Sequence, residues 1–252
     1  MAYRLDGGPE TPLSPDVAAA FARAVERRAS REPLAYVTGE REFYGRPFRV
    51  IPGVLVPRPE TETLIDAARE AFPDPDAALR VLDIGVGTGC LLLTMLDLYP
   101  RATGTGTDIA VAALACAAAN AASLGLEGRA ELRRTAWAQD VARPFDLVLG
   151  NPPYIPTTDI DALEPEVAVH EPRLALDGGP DGLDAYRAIL ADLPRLLAPG
   201  GVALFEIGRG QEEALLPLAA AAGFDAAIRP DLAGVARCLE LRRAGDRVTT
   251  AL

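Results

Sequence analysis

The fold is decided by one stretch of the 252-residue chain, Val81-Leu82-Asp83-Ile84-Gly85-Val86-Gly87-Thr88-Gly89. Its first four residues have the character of a buried strand, and the residues after Gly89 begin a helical pattern. Gly85, Gly87 and Gly89 let the backbone of the turn pass close to a ligand, where a Cβ would collide with it. A tight strand-to-helix turn without a ligand would have a similar sequence. The stretch therefore predicts a strand, a turn and a helix, and marks the turn as a candidate binding site.

Outward from this stretch, strands and helices alternate along the chain. We predict strands over residues 80–84, 103–107, 129–133, 145–150, 202–207, 225–229 and 237–241, and helices that end near 98 and 124 or cover 183–197 and 211–222. Alternation of this kind predicts an α/β fold with a doubly wound, mostly parallel seven-stranded sheet, whose ligands bind at the carboxyl ends of the strands. A short turn separates the last two strands, which indicates an antiparallel edge.

The sequence before the sheet divides into two shorter parts. Residues 1–32 form a short N-terminal helical segment, in which a helix over 16–28 follows Ser14 as N-cap and Pro15 at the first helical position. Residues 33–59 are interpreted as a β-hairpin linker built from strand-like segments 34–37 and 48–51. A helix over 60–72 then begins the main domain, residues 60–252.

Composition excludes several classes of protein. Hydrophobic residues make up 49% and charged residues 24%, an ordinary globular balance. The net charge of −11, with no lysine, disfavours a protein that holds a long polyanion. Cys90, Cys116 and Cys238 are odd in number and widely spaced, so we expect neither a disulfide framework nor a metal site. Since no apolar run is long enough for a membrane span and no secretory signal is visible, we expect a cytoplasmic protein.

The glycine-rich turn favours a particular ligand. A dinucleotide site would need glycine three residues after Gly87, and that position is Cys90. Asp83 suits a cationic or amine-bearing ligand, and Asp108, at the end of the next strand, is placed to accept the hydroxyls of a ribose. S-adenosylmethionine combines an adenosine ribose with a positively charged amino acid portion. We therefore predict S-adenosylmethionine as the cofactor, held by Asp83, Asp108 and the turn Gly85-Val86-Gly87-Thr88-Gly89.

A second motif follows the fourth predicted strand and reads Asn151-Pro152-Pro153-Tyr154. The prolines lock their own φ angles and push the residue before each of them into an extended conformation, so the turn is stiff. Neither proline has an N–H, which leaves the Asn151 side-chain oxygen and main-chain carbonyls as acceptors, beside the flat ring of Tyr154. A proline-rich loop that merely ends a strand is the alternative. As a binding site, this corner suits a planar NH₂ group.

Three further residues have open roles at this point. Trp137 is the only tryptophan and is interpreted either as a core aromatic residue or as a neighbour of an adenine ring. His170, the only histidine, lies in a loop and is not assigned a catalytic role. Glu206 ends a strand at the expected ligand face, which fits either a functional role or a hydrogen bond to a neighbouring loop.

Together these motifs resemble the class I S-adenosylmethionine-dependent methyltransferases, and within them the protein-glutamine methyltransferases that modify peptide-chain release factors. The resemblance covers residues 31–241. It is carried by residues 31–39, 56–62, 83–89, Asp108 with Asn120, 151–155, 171–172, 175–176, Gly179, 181–183, 206–208 and Gln211. The Asn-Pro-Pro-Tyr element is shared with enzymes that methylate amino groups of nucleobases. The segments Arg-Glu-Pro-Leu-Ala-Tyr at 31–36 and Pro-Arg-Pro-Glu-Thr-Glu at 57–62 are more particular to the glutamine enzymes.

The resemblance implies a Rossmann-like methyltransferase whose substrate is the glutamine of a Gly-Gly-Gln loop in a release factor, with a role in translation termination. It implies that Gly85 to Gly89 and Asp108 bind the cofactor, that Trp137 lies by the adenine, and that Asn151 to Tyr154 hold the glutamine. Asn151 is expected to contact the cofactor as well. Two departures stand out: Ala136 occupies a position that is usually acidic, and only about thirty residues precede the matching region, where the family usually has a multi-helix domain.

The chemistry of the acceptor suggests how such a site works. A glutamine amide nitrogen is a poor nucleophile, and the Asn-Pro-Pro-Tyr stretch supplies no strong base. We expect the Asn151 side-chain oxygen and the Pro152 carbonyl to accept the two N–H bonds, and Tyr154 to pack on the amide plane, so that alignment and desolvation carry catalysis. Two other functions stay open: methylation of an exocyclic amino group of a base in DNA or RNA, and a cofactor-binding subunit that has lost catalysis.

Overall fold

The structure is a computed structural model that describes residues 14–246. The α-helices in this part of the chain are α1 (Pro15–Ala29), α2 (Leu34–Thr38), α3 (Glu62–Ala71), α4 (Cys90–Leu98), α5 (Val111–Ser123), α6 (Pro165–Ala168), α7 (Asp184–Leu196) and α8 (Glu212–Ala221). The strands are β1 (Glu40–Phe43), β2 (Arg46–Arg49), β3 (Arg80–Ile84), β4 (Thr103–Asp108), β5 (Ala130–Arg134), β6 (Phe145–Gly150), β7 (Leu197–Glu206), β8 (Phe224–Pro230) and β9 (Ala236–Arg243). None of the described helices is long and apolar enough to cross a membrane.

Seven of the strands form one sheet in the order β5-β4-β3-β6-β7-β9-β8. The first five strands in that order are parallel, whereas β9 is antiparallel to both β7 and β8. The doubly wound sheet with an antiparallel edge is therefore confirmed. Strand order reverses between β3 and β6, so the carboxyl ends of these two strands open on the crevice where ligands of such sheets bind.

Both faces of the sheet are buried, which explains the continuous apolar strands. In β3, Val81 packs into a cluster with α3 and α4, while Leu82 packs into the opposite cluster with α7 and α8. In β6, Leu147 and Val148 alternate in the same way. Parallel strands covered on both faces lose the polar alternation of a surface strand. The two clusters fix β3 and β6, and with them the turns that follow both strands.

The predicted strand over 34–37 is wrong, because these residues begin the short helix α2. Pro33 precedes the helix in an extended conformation, and Gly39, with φ of 78°, ends it in the left-handed region. The buried Tyr36 then donates its hydroxyl to the main-chain oxygen of Val54 at 2.7 Å. A strand-like pattern of only four residues is too short to distinguish a strand from one helical turn.

The linker does contain a hairpin, built from β1 and β2. Its turn residues Tyr44 and Gly45 both have positive φ, 51° and 76°, which matches the right-handed twist of the two strands. Asn120, a buried residue of α5, accepts from the Arg49 N–H at 2.8 Å and donates to the Thr88 carbonyl at 2.8 Å. This side chain joins the hairpin to the glycine-rich turn.

The N-terminal helix and the loop after β6 complete the described chain. Helix α1 begins as predicted, with the Ser14 hydroxyl accepting from the Val17 N–H at 3.4 Å, but none of its residues is buried. The long loop contains α6 and two short 3₁₀ helices, 157–162 and 173–175, that the sequence did not indicate. Arg28 pairs with Glu166 of α6 at 2.9 Å. The division of the chain at residues 32/33 and 59/60 stays a prediction.

Candidate active site

The glycine-rich turn lies at the carboxyl end of β3. Gly85, Gly87 and Gly89 have φ of 79°, 54° and 83°, values that disfavour other residues. An added Cβ would meet nothing within 4 Å at Gly85, whereas at Gly89 it would lie 2.9 Å from the Leu93 side chain. The first of these glycines therefore leaves room for a ligand, and the last allows the close packing of α4.

Asp108 closes the turn from the end of β4. Its Oδ2 accepts from the Gly87 N–H at 3.0 Å, and its Oδ1 accepts from the Ala110 N–H at 2.9 Å. Burial raises the pKa of this carboxyl. Each oxygen retains acceptor capacity beyond its backbone partner, so the group can still receive the two hydroxyls of a ribose.

Asp83 differs from Asp108 because it lies beneath the turn rather than on the cavity surface. Its side chain is buried, its Oδ2 accepts from the Leu92 N–H at 3.2 Å, and its Oδ1 has no partner in the described structure. Burial raises its pKa to about 7, with a smaller contribution from Asp108. An unpaired buried acceptor below a glycine turn is the kind of group that the ammonium of an amino acid ligand could satisfy.

These elements border an open cavity of about 230 Å³. Seven of the predicted cofactor residues line it, namely Gly85, Val86, Gly87, Thr88, Asp108, Trp137 and Asn151. Asn151 and Pro153 line it from the end of β6. Asp83, Gly89 and Pro152 do not line it, and Tyr154 lines an adjoining pocket. The structure therefore brings most of the predicted site residues to one cavity, at the predicted edge of the sheet.

The position of Trp137 is compatible with both interpretations of its role, of which the contact with an adenine ring stays a prediction. It lines the cavity and also packs on the core cluster beneath α7 and α8. Its φ of 52° is unusual for a residue with a side chain. Arg195 of α7 holds the following residues by donating to the Ala138 carbonyl at 2.7 Å and the Val141 carbonyl at 2.5 Å. Ala136, where the resemblance implies an acidic residue, also faces the cavity.

The proline corner, Asn151 to Tyr154, is held firmly from behind. The Gln211 amide donates to the Tyr154 carbonyl at 3.0 Å, and the next N–H, of Ile155, donates to the Leu176 carbonyl at 3.0 Å. At Gly182 a Cβ would overlap the Tyr154 carbonyl. Within residues 14–246 the Pro152 carbonyl receives no hydrogen bond. The corner is thus rigid and retains free acceptors.

Two buried residues that the sequence left without a role meet the corner. The Asn151 Nδ2 donates to the Thr61 hydroxyl at 3.3 Å, and that hydroxyl donates to a carboxylate oxygen of Glu206. The other oxygen of Glu206 accepts from the Tyr154 hydroxyl at 3.2 Å. Burial raises the pKa of Glu206, while the hydrogen bonds from Thr61 and Tyr154 act in the opposite direction. Glu206 therefore forms a hydrogen bond with Tyr154 of the corner directly. Both Thr61 and Glu206 lie in segments that carry the resemblance.

A second pocket of about 200 Å³ adjoins the cavity. Asn151 and Arg58 line both spaces, while Tyr154, Leu163 and Val167 line the second alone. Asn151 therefore lies where the two spaces meet. One space can hold a cofactor and the other an acceptor side chain, with Asn151 in reach of both.

An ion pair supports this junction. An Nη2 of Arg58 lies 2.5 Å from Glu171, whose side chain is only 1% exposed. Glu171 also accepts from the Val56 N–H at 3.2 Å. His170, the neighbour of Glu171, contacts the Ser30 carbonyl at 3.3 Å instead of the cavity. The sequence marked both motifs through the resemblance but did not indicate that they pair.

Comparison with known proteins agrees with this geometry. A family model for the methyltransferase small domain matches residues 61–174, and one for the PrmC N-terminal domain matches residues 7–39. The release factor glutamine methyltransferase of Cereibacter sphaeroides is 49% identical over 232 residues, which cover 92% of this chain and 82% of that protein. The enzyme of the same name from Caulobacter vibrioides is 48% identical over 216 residues, 85% of this chain and 74% of that protein.

The chain belongs to the release factor glutamine methyltransferase family. As a member of this family it is an S-adenosylmethionine-dependent methyltransferase. The cavity fits that cofactor, because it offers an open glycine turn and the remaining acceptor capacity of Asp108, with the unpaired oxygen of Asp83 buried beneath the turn.

Solved structures agree on the fold of this family member. The ribosomal protein L11 methylase of Lactobacillus delbrueckii subsp. bulgaricus superposes with a TM-score of 0.59 at 20% identity, over 78% of this chain and 85% of that one. A 16S rRNA methyltransferase of T. thermophilus, solved in complex with AdoMet and guanosine, gives a TM-score of 0.58 at 19% identity, over 81% of this chain and 49% of that one.

Proposed function

We propose that this protein methylates the side-chain amide nitrogen of a glutamine in a peptide chain release factor, at a Gly-Gly-Gln loop. The observation that carries the proposal is the rigid corner at Asn151, which offers hydrogen-bond acceptors where the cavity and the second pocket meet. The names of the relatives at 48–49% identity support the release factor as partner. The reaction would take place in the cytoplasm, where release factors act on ribosomes.

The cavity side of the site would hold the cofactor. S-adenosylmethionine, when bound, supplies an electrophilic methyl group. Asp108 would accept hydrogen bonds from the ribose, Gly85 and Gly87 would leave room for close approach of the backbone, and Trp137 would contact the adenine. Asp83 would contribute to cofactor binding through its buried oxygen below the turn.

The corner side of the site would hold the acceptor amide. Its NH₂ group has two N–H donors, which match the Asn151 Oδ1 and the free Pro152 carbonyl. Tyr154 would pack on the amide plane, its ring held in place by the hydrogen bond of its hydroxyl to Glu206. Because these acceptors are fixed before the substrate arrives, the site would orient the nitrogen without reorganising.

A nucleobase amino group is the alternative acceptor, since it has the same two donors in a plane. The net charge of −11 disfavours nucleic acid, because phosphate contacts dominate its binding. A binding subunit without catalysis would not need free acceptors at the corner.

The test is transfer of labelled methyl groups to a purified bacterial release factor, with the modified residue located by mass spectrometry. We expect one methyl group on the glutamine of the Gly-Gly-Gln loop and none on a factor in which that glutamine is replaced by glutamate. Asn151→Ala should lower kcat about 100-fold, as the loss of a preorganised polar group does elsewhere, with the Kd of the cofactor nearly unchanged. Labelling of tRNA, rRNA or DNA instead of the factor would contradict the proposal.

A further inference from the structure

Two buried side chains, of Thr61 and Glu206, form a chain of hydrogen bonds that begins at Asn151, and Thr61 also lines the cavity. Thr61, at the end of the 3₁₀ helix 59–61, is 2% exposed, and Glu206, at the end of β7, is 1% exposed. They lie 145 positions apart in sequence, yet the Thr61 hydroxyl bonds directly to Glu206 and the Asn151 Nδ2 lies 3.3 Å from Thr61. Neither residue belongs to the acceptor corner or to the cofactor turn.

The direction of these hydrogen bonds follows from their chemistry. An ionised carboxylate only accepts, whereas a hydroxyl has one hydrogen to donate. When Glu206 is ionised, the Thr61 hydrogen is committed to it and the Thr61 oxygen can only accept from Asn151. The amide of Asn151 must then present its NH₂ group to Thr61. Its oxygen is left for the cavity side, where no residue among 14–246 donates to it.

The partners of Glu206 are unusual for a buried carboxylate. Burying a charge is costly unless it is paired or well hydrogen-bonded. No described arginine forms an ion pair with Glu206, although the charge of Arg237 acts on it; its side-chain oxygens accept from Thr61 and Tyr154 instead. An arginine would satisfy the charge without fixing the direction of any hydroxyl. Hydroxyl donors do fix it, and both of them belong to side chains beside Asn151: Thr61 lines the cavity and Tyr154 lines the second pocket.

We propose that Glu206 and Thr61 are positioning residues that hold the Asn151 amide with its oxygen toward the acceptor, so that the site binds an NH₂ donor. The inference rests on the proposed function, since it assigns the polarity of the same site. We call the hydrogen-bonded chain from Glu206 through Thr61 to Asn151 the relay. Without the relay the Asn151 amide can rotate by 180° and present its own NH₂ group. That group cannot accept from the substrate and repels its N–H bonds.

Substitutions that remove or retain the hydrogen-bonding groups, with little change in side-chain volume, test the relay. Thr61→Val removes the hydroxyl, and Thr61→Ser retains it. Glu206→Met removes both acceptors, and replacing a buried charge by an apolar residue of similar size is often tolerated by the fold. We expect Thr61→Val and Glu206→Met to lower kcat about 10- to 100-fold, the range known for residues that orient a metal ligand, with the Kd of S-adenosylmethionine within about twofold of wild type. Thr61→Ser should retain most of the activity.

Tyr186→Phe is the matched control. Tyr186 is buried, and its hydroxyl donates to the main-chain carbonyl of Glu206 at 2.6 Å, so its loss removes a hydrogen bond at the same strand end without touching the relay. Its kcat should equal that of wild type even where its melting temperature is lower. If Tyr186→Phe lost as much kcat as Thr61→Val, the loss would come from a general loosening of the structure around Glu206. That result would overturn the proposed relay.

A double-mutant cycle shows whether Thr61 acts through Asn151. Thr61→Val should slow single-turnover methyl transfer strongly in the wild-type background and by less than about twofold in the Asn151→Ala background. An equal loss in both backgrounds would overturn the proposal. Without any turnover, NMR of the Asn151 side-chain NH₂ group should show slower exchange with water in wild type than in Thr61→Val, and equal exchange would also overturn it.

The proposed function and the positioning role of Thr61 and Glu206 would fail in different ways. If the wild-type enzyme transfers no methyl group to the release factor, the proposed function fails. If it does so while Thr61→Val and Glu206→Met keep wild-type kcat, the function stands and the relay alone is wrong.

Discussion

Two of the regions that contain arginine–glutamate pairs differ in burial. Beside the cavity, Arg58 pairs with Glu171, whose side chain is 1% exposed. At the end of α1, Arg28 and Arg31 pair with Glu166 and Glu164, whose side chains are 20% and 79% exposed. Burial decides what such a pair is worth, since exposed pairs contribute little and a broken buried pair leaves an uncompensated charge. The site region should therefore be sensitive to single substitutions, and the α1 region tolerant of them.

The largest expected difference is steric. Gly182 and Gly234 have similar φ, 76° and 78°, but an added Cβ overlaps the Tyr154 carbonyl at Gly182 and meets nothing within 4 Å at Gly234. Alanine should cost about 1–2 kcal/mol of unfolding free energy at Gly234, from backbone strain alone, and roughly 4 kcal/mol at Gly182, where overpacking is added. Urea denaturation of the two variants measures both values. Equal losses would mean that the proline corner is not held rigidly.

A second test uses the pH dependence of the cofactor-free protein. Burial raises the pKa of Asp83 to about 7, above its value in the unfolded chain, so its contribution to stability is full below pH ~4 and is lost as the pH rises to about 7. Asp83→Asn removes this dependence. The stability of the variant relative to wild type should therefore increase between pH 4 and 7, by on the order of 3 kcal/mol. A difference that stays constant with pH would show that Asp83 is ionised throughout.

The third test breaks the buried ion pair. Arg58→Met leaves Glu171 buried without its charged partner, which should lower the free energy of unfolding by about 2–3 kcal/mol, less than for a fully buried pair because Arg58 is 33% exposed. Replacing both residues, Arg58→Met with Glu171→Met, should recover much of the loss. If the single variant is as stable as wild type, the contrast between the two regions disappears.

The smallest effect is expected at the exposed pair. Arg28→Met should cost less than about 1 kcal/mol, and 1 M salt should remove most of that difference. The same substitution type at Arg58 is the matched comparison, measured in the same denaturation series. A loss at Arg28 equal to the loss at Arg58 would show that α1 is more tightly bound than its exposure indicates.

The sequence predicted the strands of the sheet well where the residues within a strand and at its ends decide its bounds. The bounds of β3 and β6 agree with prediction because both strands are apolar on both faces and end at a glycine or proline. Residues 34–37 were misread, because their neighbours Pro33 and Gly39 also fit the ends of a short helix. The start of β7 at Leu197, five residues before the predicted strand, was missed because Pro199, Gly200 and Gly201 resemble a turn.

The site was predicted in its parts but not in its connections. The glycine turn, Asp108, Trp137 and Asn151 all line one cavity, because strand ends of a parallel sheet meet at one edge. The contact of Thr61 with Glu206 joins residues 145 positions apart, and that of Arg58 with Glu171 joins residues 113 apart. Such pairs depend on how the segments 59–61 and 171–172 pack against the sheet, which no local pattern encodes.

The unpaired carbonyl of Pro152 has a consequence for what happens after transfer. A primary amide offers two N–H bonds to the corner, but a singly methylated amide retains one. In the proposed site the bound product would therefore leave either Pro152 or Asn151 without a donor, and an acceptor that loses its hydrogen-bond partner in the complex is costly. The corner would thus release its product more readily than its substrate and disfavour a second methylation of the same nitrogen.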